Sequence, residues 1–124
     1  MKKECLFFVY GTLKKGFHNN YLLSNAEFLG NFTTKPEYTL FDGNFPVVER
    51  DGETAIQGEL YLSKDKEDID SVFRLEGCIS QKQHDKNNWY DYDLLETPHG
   101  KAVIFVMDEG KSNRNKILNS GKWN

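Results

Sequence analysis

The stretch LFFVYGTLKKG, residues 6–16, carries the strongest structural signal in the sequence. Residues 6–10 form a continuous apolar and aromatic run, which predicts a strand that is covered on both faces. Glycine, threonine and two lysines follow immediately, and they predict a loop at residues 11–20. The turn could serve chain geometry alone, or Gly11 could let the backbone approach a ligand because it has no Cβ.

The rest of the chain predicts a sheet protein with one clear helix. An amphipathic segment at residues 64–75 predicts that helix, and Gly77 stands where a helix-ending glycine belongs. We also expect a helical turn at residues 20–25, two strands within 26–42, a turn at 42–44 and an exposed loop at 78–88. Two hairpins are expected as well, one joining 46–50 to 55–62 and one joining 89–97 to 101–108. The pattern predicts an α+β fold, a small mostly antiparallel β-barrel with flanking short helices.

Composition indicates an ordinary globular domain. The chain has 124 residues, 38% of them hydrophobic, and a net charge of −3. This length fits one domain over residues 1–124, and the charge provides no basic field that would attract nucleic acid. The longest apolar run holds about six residues, too few for a membrane span or a signal peptide. Two cysteines make no disulfide framework, so free thiols and a cytoplasmic location are expected.

Glu76 stands out because it occupies the apolar face of the predicted helix. It follows Ile69, Val72 and Phe73 at the spacing i, i+3, i+4 and i+7, which places all four on one side. The negative end of the helix dipole and apolar surroundings would both raise the pKa of its carboxyl group. Glu76 is therefore a candidate acid/base near neutral pH. The spacing also allows Glu76 to turn outward or to pair with Arg74 or a nearby lysine.

Six short motifs follow one another in a specific order. They are Val-Tyr-Gly-Thr-Leu-Lys-Lys-Gly at 9–16, Phe-Asp to Phe-Pro-Val at 41–47, Gly-Glu-Leu-Tyr at 58–61, Leu-Glu-Gly at 75–77, a strand tyrosine at 90 with Gly-Lys-Ala-Val at 100–103, and Ser-Gly-Lys-Trp at 120–123. In order and spacing the chain resembles the γ-glutamylcyclotransferase-like family, in particular its AIG2-like branch of γ-glutamylamine cyclotransferases, over about residues 7–123. It departs from that pattern at Tyr92, where arginine is usual, and at Lys122, where aspartate is usual.

The resemblance implies a small barrel with a cavity at one end and an enzyme acting on a small-molecule γ-glutamyl substrate. In that family the α-amine of the glutamyl group attacks its own side-chain carbonyl, 5-oxoproline forms, and an amine or amino acid leaves. Glu76 matches the family's general acid/base. The positions matching its substrate-binding loop and pocket tyrosine are Tyr10, Gly11, Thr12, Leu13 and Tyr90. Successive N–H groups of such a loop can hold an anion, and no metal or cofactor is implied.

Several alternatives stay open on sequence alone. The family's fold could serve as a binding module for a small ligand or a partner without turnover. Residues 11–16 could bind phosphate, although their spacing is not that of a P-loop. Cys78 and His84 could act as nucleophile and base, although no third group orients them. The three histidines are scattered, so they predict no zinc site. Asn19 is expected to cap the helical turn that follows it.

Overall fold

The computed structural model describes residues 4–42, 46–107 and 117–123. Within these ranges each predicted strand and helix has a counterpart, and their bounds are as follows. The strands are β1 (Cys5–Val9), β2 (Glu27–Thr33), β3 (Tyr38–Phe41), β4 (Val47–Arg50), β5 (Gln57–Ser63), β6 (Asp91–Thr97) and β7 (Gly100–Val106). Helix α1 spans Lys66–Leu75, and a 3-10 helix spans Asn20–Leu23. The predicted turn at 42–44 and the end of the strand predicted at 101–108 lie partly outside the described residues.

Strand β1 lies at the centre of a five-stranded sheet with the order β2-β5-β1-β7-β6. It pairs antiparallel with β5 and parallel with β7, and the other pairings in this sheet are antiparallel. Its side chains alternate between two apolar cores, one on each face. Phe7 and Val9 belong to one core, and Phe8 and Tyr10 belong to the other. This double burial explains the continuous apolar run and confirms that the strand is covered on both faces.

The predicted hairpin between residues 46–50 and 55–62 is wrong. Strand β4 instead pairs antiparallel with β3 in a separate two-stranded sheet, while β5 pairs with β1 and β2. After the turn at Asp51, where φ is 62°, the chain returns to the start of β3, because Thr54 and Tyr38 exchange backbone hydrogen bonds of 2.8 and 3.3 Å. A strand pattern in the sequence predicts which residues have an extended backbone, but it does not predict which strand they pair with. The pairing of β4 with β3 was therefore not predicted.

The two sheets contact each other through the end of β7. The Met107 N–H donates to the Val48 carbonyl over 2.8 Å, and the Arg50 N–H donates to the Met107 carbonyl over 3.0 Å. In the described part of the chain the strands do not close into a ring, so the predicted barrel is not confirmed. The α+β class with a mainly antiparallel sheet is confirmed.

Arg50 links the small sheet to β6 through its side chain. One guanidinium nitrogen lies 2.9 Å from an Asp91 carboxylate oxygen and 2.7 Å from an Asp93 oxygen. Burial would raise the pKa of Asp91, but hydrogen bonds from the His84 N–H and from Arg50 bring it below its ordinary value. The second predicted hairpin, β6 with β7, is confirmed.

Helix α1 has the apolar face and the ends that the sequence predicts. Ile69, Val72 and Phe73 are buried, each at most 5% exposed. At the start, the Asp65 carboxylate accepts N–H groups of the first turn at 2.8 and 3.4 Å. At the end, Gly77 takes a φ of +71°, and two N–H groups bond last-turn carbonyls at 2.9 and 3.1 Å. Among the described helices, none is long and apolar enough to cross a membrane.

Candidate active site

A cavity of about 250 Å³ opens where the end of β1, the following loop, the end of α1 and the segment before β6 meet. Strand β6 begins at residue 91 rather than 89, so the two preceding aromatic residues lie beside this cavity. Every residue assigned to the site from the sequence lines it, namely Tyr10, Gly11, Thr12, Leu13, Glu76 and Tyr90. Leu75, Trp89, Pro46, His18 and Asn19 are further lining residues.

Glu76 is the residue immediately after α1, and its side chain forms part of the cavity wall. Glu76 is half-buried, and it lines the cavity. Loss of hydration raises the pKa of the carboxyl group from 4.5 to about 7. Within the described ranges Glu76 forms no ion pair, and Arg74 is exposed. The carboxyl group can therefore both accept and donate a proton near neutral pH.

Two buried tyrosines stand beside Glu76 with their hydroxyl groups bonded to the main chain. The Tyr10 hydroxyl donates to the Phe105 carbonyl over 2.7 Å, and the Tyr90 hydroxyl donates to the Pro46 carbonyl over 3.2 Å. Burial raises the pKa of both phenols, and the negative charge of Glu76 raises them further. Both tyrosines therefore stay neutral near neutral pH. Their buried rings lie beside the Glu76 carboxyl group and add no charge that could stabilise its ionised form.

The loop after β1 turns tightly and leaves backbone donors unused. Gly11 is required because an added Cβ would lie 2.5 Å from Cγ of Pro46. The space that a side chain at position 11 would occupy is thus filled by Pro46, while Gly11 itself lines the cavity. In the part of the chain that the structure describes, the N–H groups of Thr12 and Leu13 have no hydrogen-bond acceptor. Such groups can hold an anion.

A polar network that the sequence did not reveal fixes the outer side of this loop. The Asn20 side-chain amide donates to the Leu13 carbonyl over 2.8 Å and to the Tyr61 hydroxyl over 3.3 Å. The Tyr61 hydroxyl in turn donates to Glu59 over 3.0 Å, and the same Glu59 oxygen accepts the Lys15 N–H over 2.8 Å. Strand β5 therefore holds the loop at two points, and the position of Leu13 is set by side chains outside the cavity.

Asn19 occupies the N-cap position of the 3-10 helix, as predicted, but its side chain makes no capping bond. Its amide nitrogen instead donates to the Thr12 hydroxyl oxygen over 2.9 Å and lies 3.3 Å from Nε2 of His18. The prediction of a capping side chain is wrong: the amide nitrogen of Asn19 is bonded to Thr12, and its amide oxygen accepts no N–H group of the helical turn. In the sequence, the only hint that these side chains hold the preceding loop is that two asparagines, Asn19 and Asn20, stand next to each other.

The lysines of the loop do not support the phosphate-binding interpretation. Lys14 is 6% exposed, and its ammonium group donates to the Trp123 carbonyl over 2.6 Å. Burial lowers the pKa of this group. The Lys15 ammonium lies over the Phe28 ring, 5.1 Å from its centroid. Both charges are thus directed to other parts of the fold, and neither residue lines the cavity.

Cys78 and His84 do not form a nucleophile and base. Cys78 is fully buried, and burial raises the pKa of its thiol to about 11, so the thiol is protonated near neutral pH. His84 is exposed, and its Nδ1 lies 3.3 Å from an Asp91 oxygen. Among the residues with described positions, no group of three or more His, Cys, Asp or Glu side chains could hold a metal ion. Tyr92 does not line the cavity; its ring packs edge-on against Phe73.

A model of the family described as "Gamma-glutamyl cyclotransferase, AIG2-like" matches residues 7–124. The chain belongs to this family. A Vibrio cholerae protein whose name provisionally describes it as a gamma-glutamylcyclotransferase is 37% identical over 120 residues, which cover 95% of this chain and 94% of that protein. The family match also confirms the prediction of an enzyme of the γ-glutamylcyclotransferase type.

Solved structures share the architecture of this γ-glutamyl cyclotransferase family member. A crystal structure of a Pyrococcus horikoshii protein aligns with a TM-score of 0.74 at 27% identity, covering 95% of this chain and 88% of that one. The solution structure of YtfP from Escherichia coli aligns with a TM-score of 0.65 at 28% identity, covering 95% of each chain. Both alignments therefore cover nearly the whole of this chain.

Proposed function

We propose that the chain converts a γ-glutamyl amine or γ-glutamyl amino acid into 5-oxoproline and the free amine or amino acid, with Glu76 as general acid/base. The observation that carries the proposal is the position of Glu76 in the cavity wall, half-buried and with a pKa of about 7. A carboxyl group with this pKa populates both protonation states near neutral pH, as two successive proton transfers require.

The chemistry follows in two steps. The Glu76 carboxylate first removes a proton from the α-ammonium group of the substrate, and the free amine attacks the γ-carbonyl carbon within the same molecule. The tetrahedral adduct then collapses, and Glu76 returns the proton to the departing nitrogen as its bond to the carbonyl carbon breaks. The ring nitrogen gives up its second proton to the released amine, which leaves as an ammonium ion, so 5-oxoproline keeps a single N–H. No water molecule is consumed. Because the attack is intramolecular, the main task of the protein is to hold the folded conformer of the glutamyl group.

The cavity supports binding of the glutamyl head in preference to the whole substrate. Its volume of about 250 Å³ lies below the roughly 300–1,000 Å³ of sites that enclose drug-sized ligands. The N–H groups of Thr12 and Leu13 provide unpaired donors for the α-carboxylate. The partly exposed side chains of Leu75 and Trp89 also line the cavity, so the leaving amine would extend past them toward solvent.

The proposal is tested by searching for 5-oxoproline with mass spectrometry. Purified protein receives γ-glutamyl amines, γ-glutamyl amino acids and glutathione in parallel, and Glu76→Gln is compared with Glu67→Gln, an exposed glutamate of the same helix. We expect product from wild type and Glu67→Gln and a loss of at least about 100-fold in Glu76→Gln. Ligand binding without product from any substrate would contradict the proposal and favour the binding-module alternative.

A pH profile gives a second check on the assigned group. Because the carboxylate form of Glu76 starts the reaction, kcat/KM should rise with pH through an apparent pKa of about 7. A profile with no inflection between about pH 6 and pH 8 would exclude Glu76 as the titrating group.

A further inference from the structure

We infer that Asn19 is a positioning residue that makes the Thr12 hydroxyl a hydrogen-bond donor to the carboxylate of the glutamyl head, and this inference rests on the proposed function. Thr12 and Asn19 both line the cavity, although seven residues separate them. A hydroxyl group can donate one hydrogen bond and accept two, so its neighbours decide which role remains for a ligand.

The contact between the two side chains fixes the direction of the hydroxyl proton. The Asn19 amide nitrogen lies 2.9 Å from the Thr12 hydroxyl oxygen, and an amide nitrogen only donates. Thr12 must therefore accept in this bond, and its own proton points elsewhere. Within the described ranges the Thr12 hydroxyl has no acceptor, although the cavity lies beside it. The hydroxyl is thus left as a donor for whatever the cavity holds.

The main chain holds the same two residues together. The Asn19 N–H donates to the Thr12 carbonyl over 3.1 Å, so Asn19 contacts Thr12 through both its backbone and its side chain. The neighbouring Asn20 donates its side-chain amide to the Leu13 carbonyl over 2.8 Å. The two asparagines therefore fix two successive loop residues, and the free donors of this loop keep one geometry before any ligand binds.

The chemistry of these donors selects a carboxylate. Within the described ranges the free groups of the loop include the Thr12 hydroxyl and the N–H groups of Thr12 and Leu13, and these three are neutral donors. Neutral donors on adjacent residues of one backbone turn suit an anionic oxygen and offer nothing to a cation. A carboxamide in place of the carboxylate loses the charge and one acceptor oxygen. The loop should therefore distinguish the two, and Asn19 should control that discrimination through Thr12.

The test compares 5-oxoproline, which keeps the α-carboxylate, with its carboxamide, by calorimetric or NMR titration of the intact protein. Wild type should bind 5-oxoproline more tightly than the carboxamide. Asn19→Asp replaces the donor with an acceptor that captures the Thr12 proton, so it should weaken 5-oxoproline binding by about 10- to 100-fold. Asn19→Ala only frees the hydroxyl to rotate, so its loss should be a few-fold.

The added charge of Asn19→Asp requires a control, which the Thr12→Val background provides. If Asn19 acts through Thr12, Asn19→Asp should cause little further loss once the hydroxyl is absent. An undiminished loss in that background would overturn the inference, because it would show direct charge repulsion. Asn31→Asp places the same charge on exposed strand β2 and should change nothing. Thermal denaturation of each variant identifies any loss that arises from unfolding.

Turnover separates this inference from the proposed function. With Asn19→Asp, KM for a γ-glutamyl substrate should rise about as much as the 5-oxoproline Kd, while kcat falls little, because the carboxylate is bound in ground and transition states alike. If wild type binds 5-oxoproline and turns over a γ-glutamyl substrate, and Asn19→Asp has the same Kd and KM, the role of Asn19 is overturned while the proposed function stands. Wild type that neither binds 5-oxoproline nor forms it overturns the proposed function and this inference together.

Discussion

Replacing Glu76 with glutamine should make the folded protein more stable at neutral and alkaline pH while it abolishes activity. The carboxyl group loses hydration in the cavity wall, and in the described part of the chain no cation compensates for that loss. Glutamine keeps the shape of the side chain and has no charge to desolvate. The variant therefore isolates the free-energy cost of ionising this group inside the fold.

The pKa shift sets the size and the sign of the effect. A carboxyl group whose pKa rises from 4.5 to about 7 on folding binds its proton more tightly in the folded state. Wild-type stability from this group is then intact below about pH 4.5, falls as pH rises toward about 7, and stays low above that. A shift of this size corresponds to about 3 kcal/mol at most. Because Glu76 is half-buried and faces water in the cavity, we expect about 2 kcal/mol.

Urea denaturation of the two proteins at several pH values measures this directly. The free energy of unfolding of Glu76→Gln should match that of wild type near about pH 4 and exceed it by about 2 kcal/mol near about pH 8. Glu67→Gln, on the exposed side of α1, should show no such pH-dependent gain. A pH-independent difference, or a wild type that gains on the variant as pH rises, would refute the reasoning. Either result would mean that the fold does not raise the pKa of Glu76.

Three further substitutions test how the fold holds the site. Gly77→Ala should lower stability by about 1–2 kcal/mol in thermal denaturation, since φ is +71° and the new Cβ would lie 2.9 Å from Cβ of Trp89; an unchanged midpoint would contradict this. Arg50→Met should lower the free energy of unfolding by about 2 kcal/mol near neutral pH. The loss should be smaller in acid, because Asp91 is then protonated and wild type has lost the ion pair too. A loss that stays constant from neutral to acidic pH would count against the ion pair. Asp65→Ala should cost about 1 kcal/mol, whereas Asp65→Asn should retain most of the cap; equal losses would argue against capping.

The sequence predicted those helices and strands whose formation depends on interactions between residues that are close together in the chain. The apolar run of β1, the apolar face of α1 and the glycine that ends the helix all depend on side-chain spacing and backbone conformation within a few residues. The partner of β4 depends instead on which strand edge the chain reaches after the turn at Asp51. That choice is settled by packing between distant segments, so the hairpin with β5 was predicted in its place.

In the candidate site, too, the residues in short sequence motifs could be predicted, whereas contacts between distant residues could not. Glu76 and the loop after β1 could be predicted, because each belongs to a short motif whose residues are adjacent in sequence. The residues that hold the loop could not, because their partners are distant: Asn20 contacts Tyr61, and Lys14 contacts Trp123. Asparagine at the start of a helix predicts a cap on local grounds. Only the three-dimensional structure shows that Asn19 bonds Thr12 instead.

The position of Glu76 links the packing of helix α1 to the chemistry of the cavity. The apolar face of α1 packs Ile69 and Phe73 into the core, and one further turn along the same face leads to the cavity wall. The pair of hydrogen bonds at Gly77 ends the helix at that point, so the carboxyl group is held at the edge of the core. Desolvation there gives Glu76 its pKa of about 7 and makes its ionised form destabilising. Stability and acid/base function must therefore change in opposite directions at this residue, so a substitution that relieves the desolvation will also remove the proton transfer.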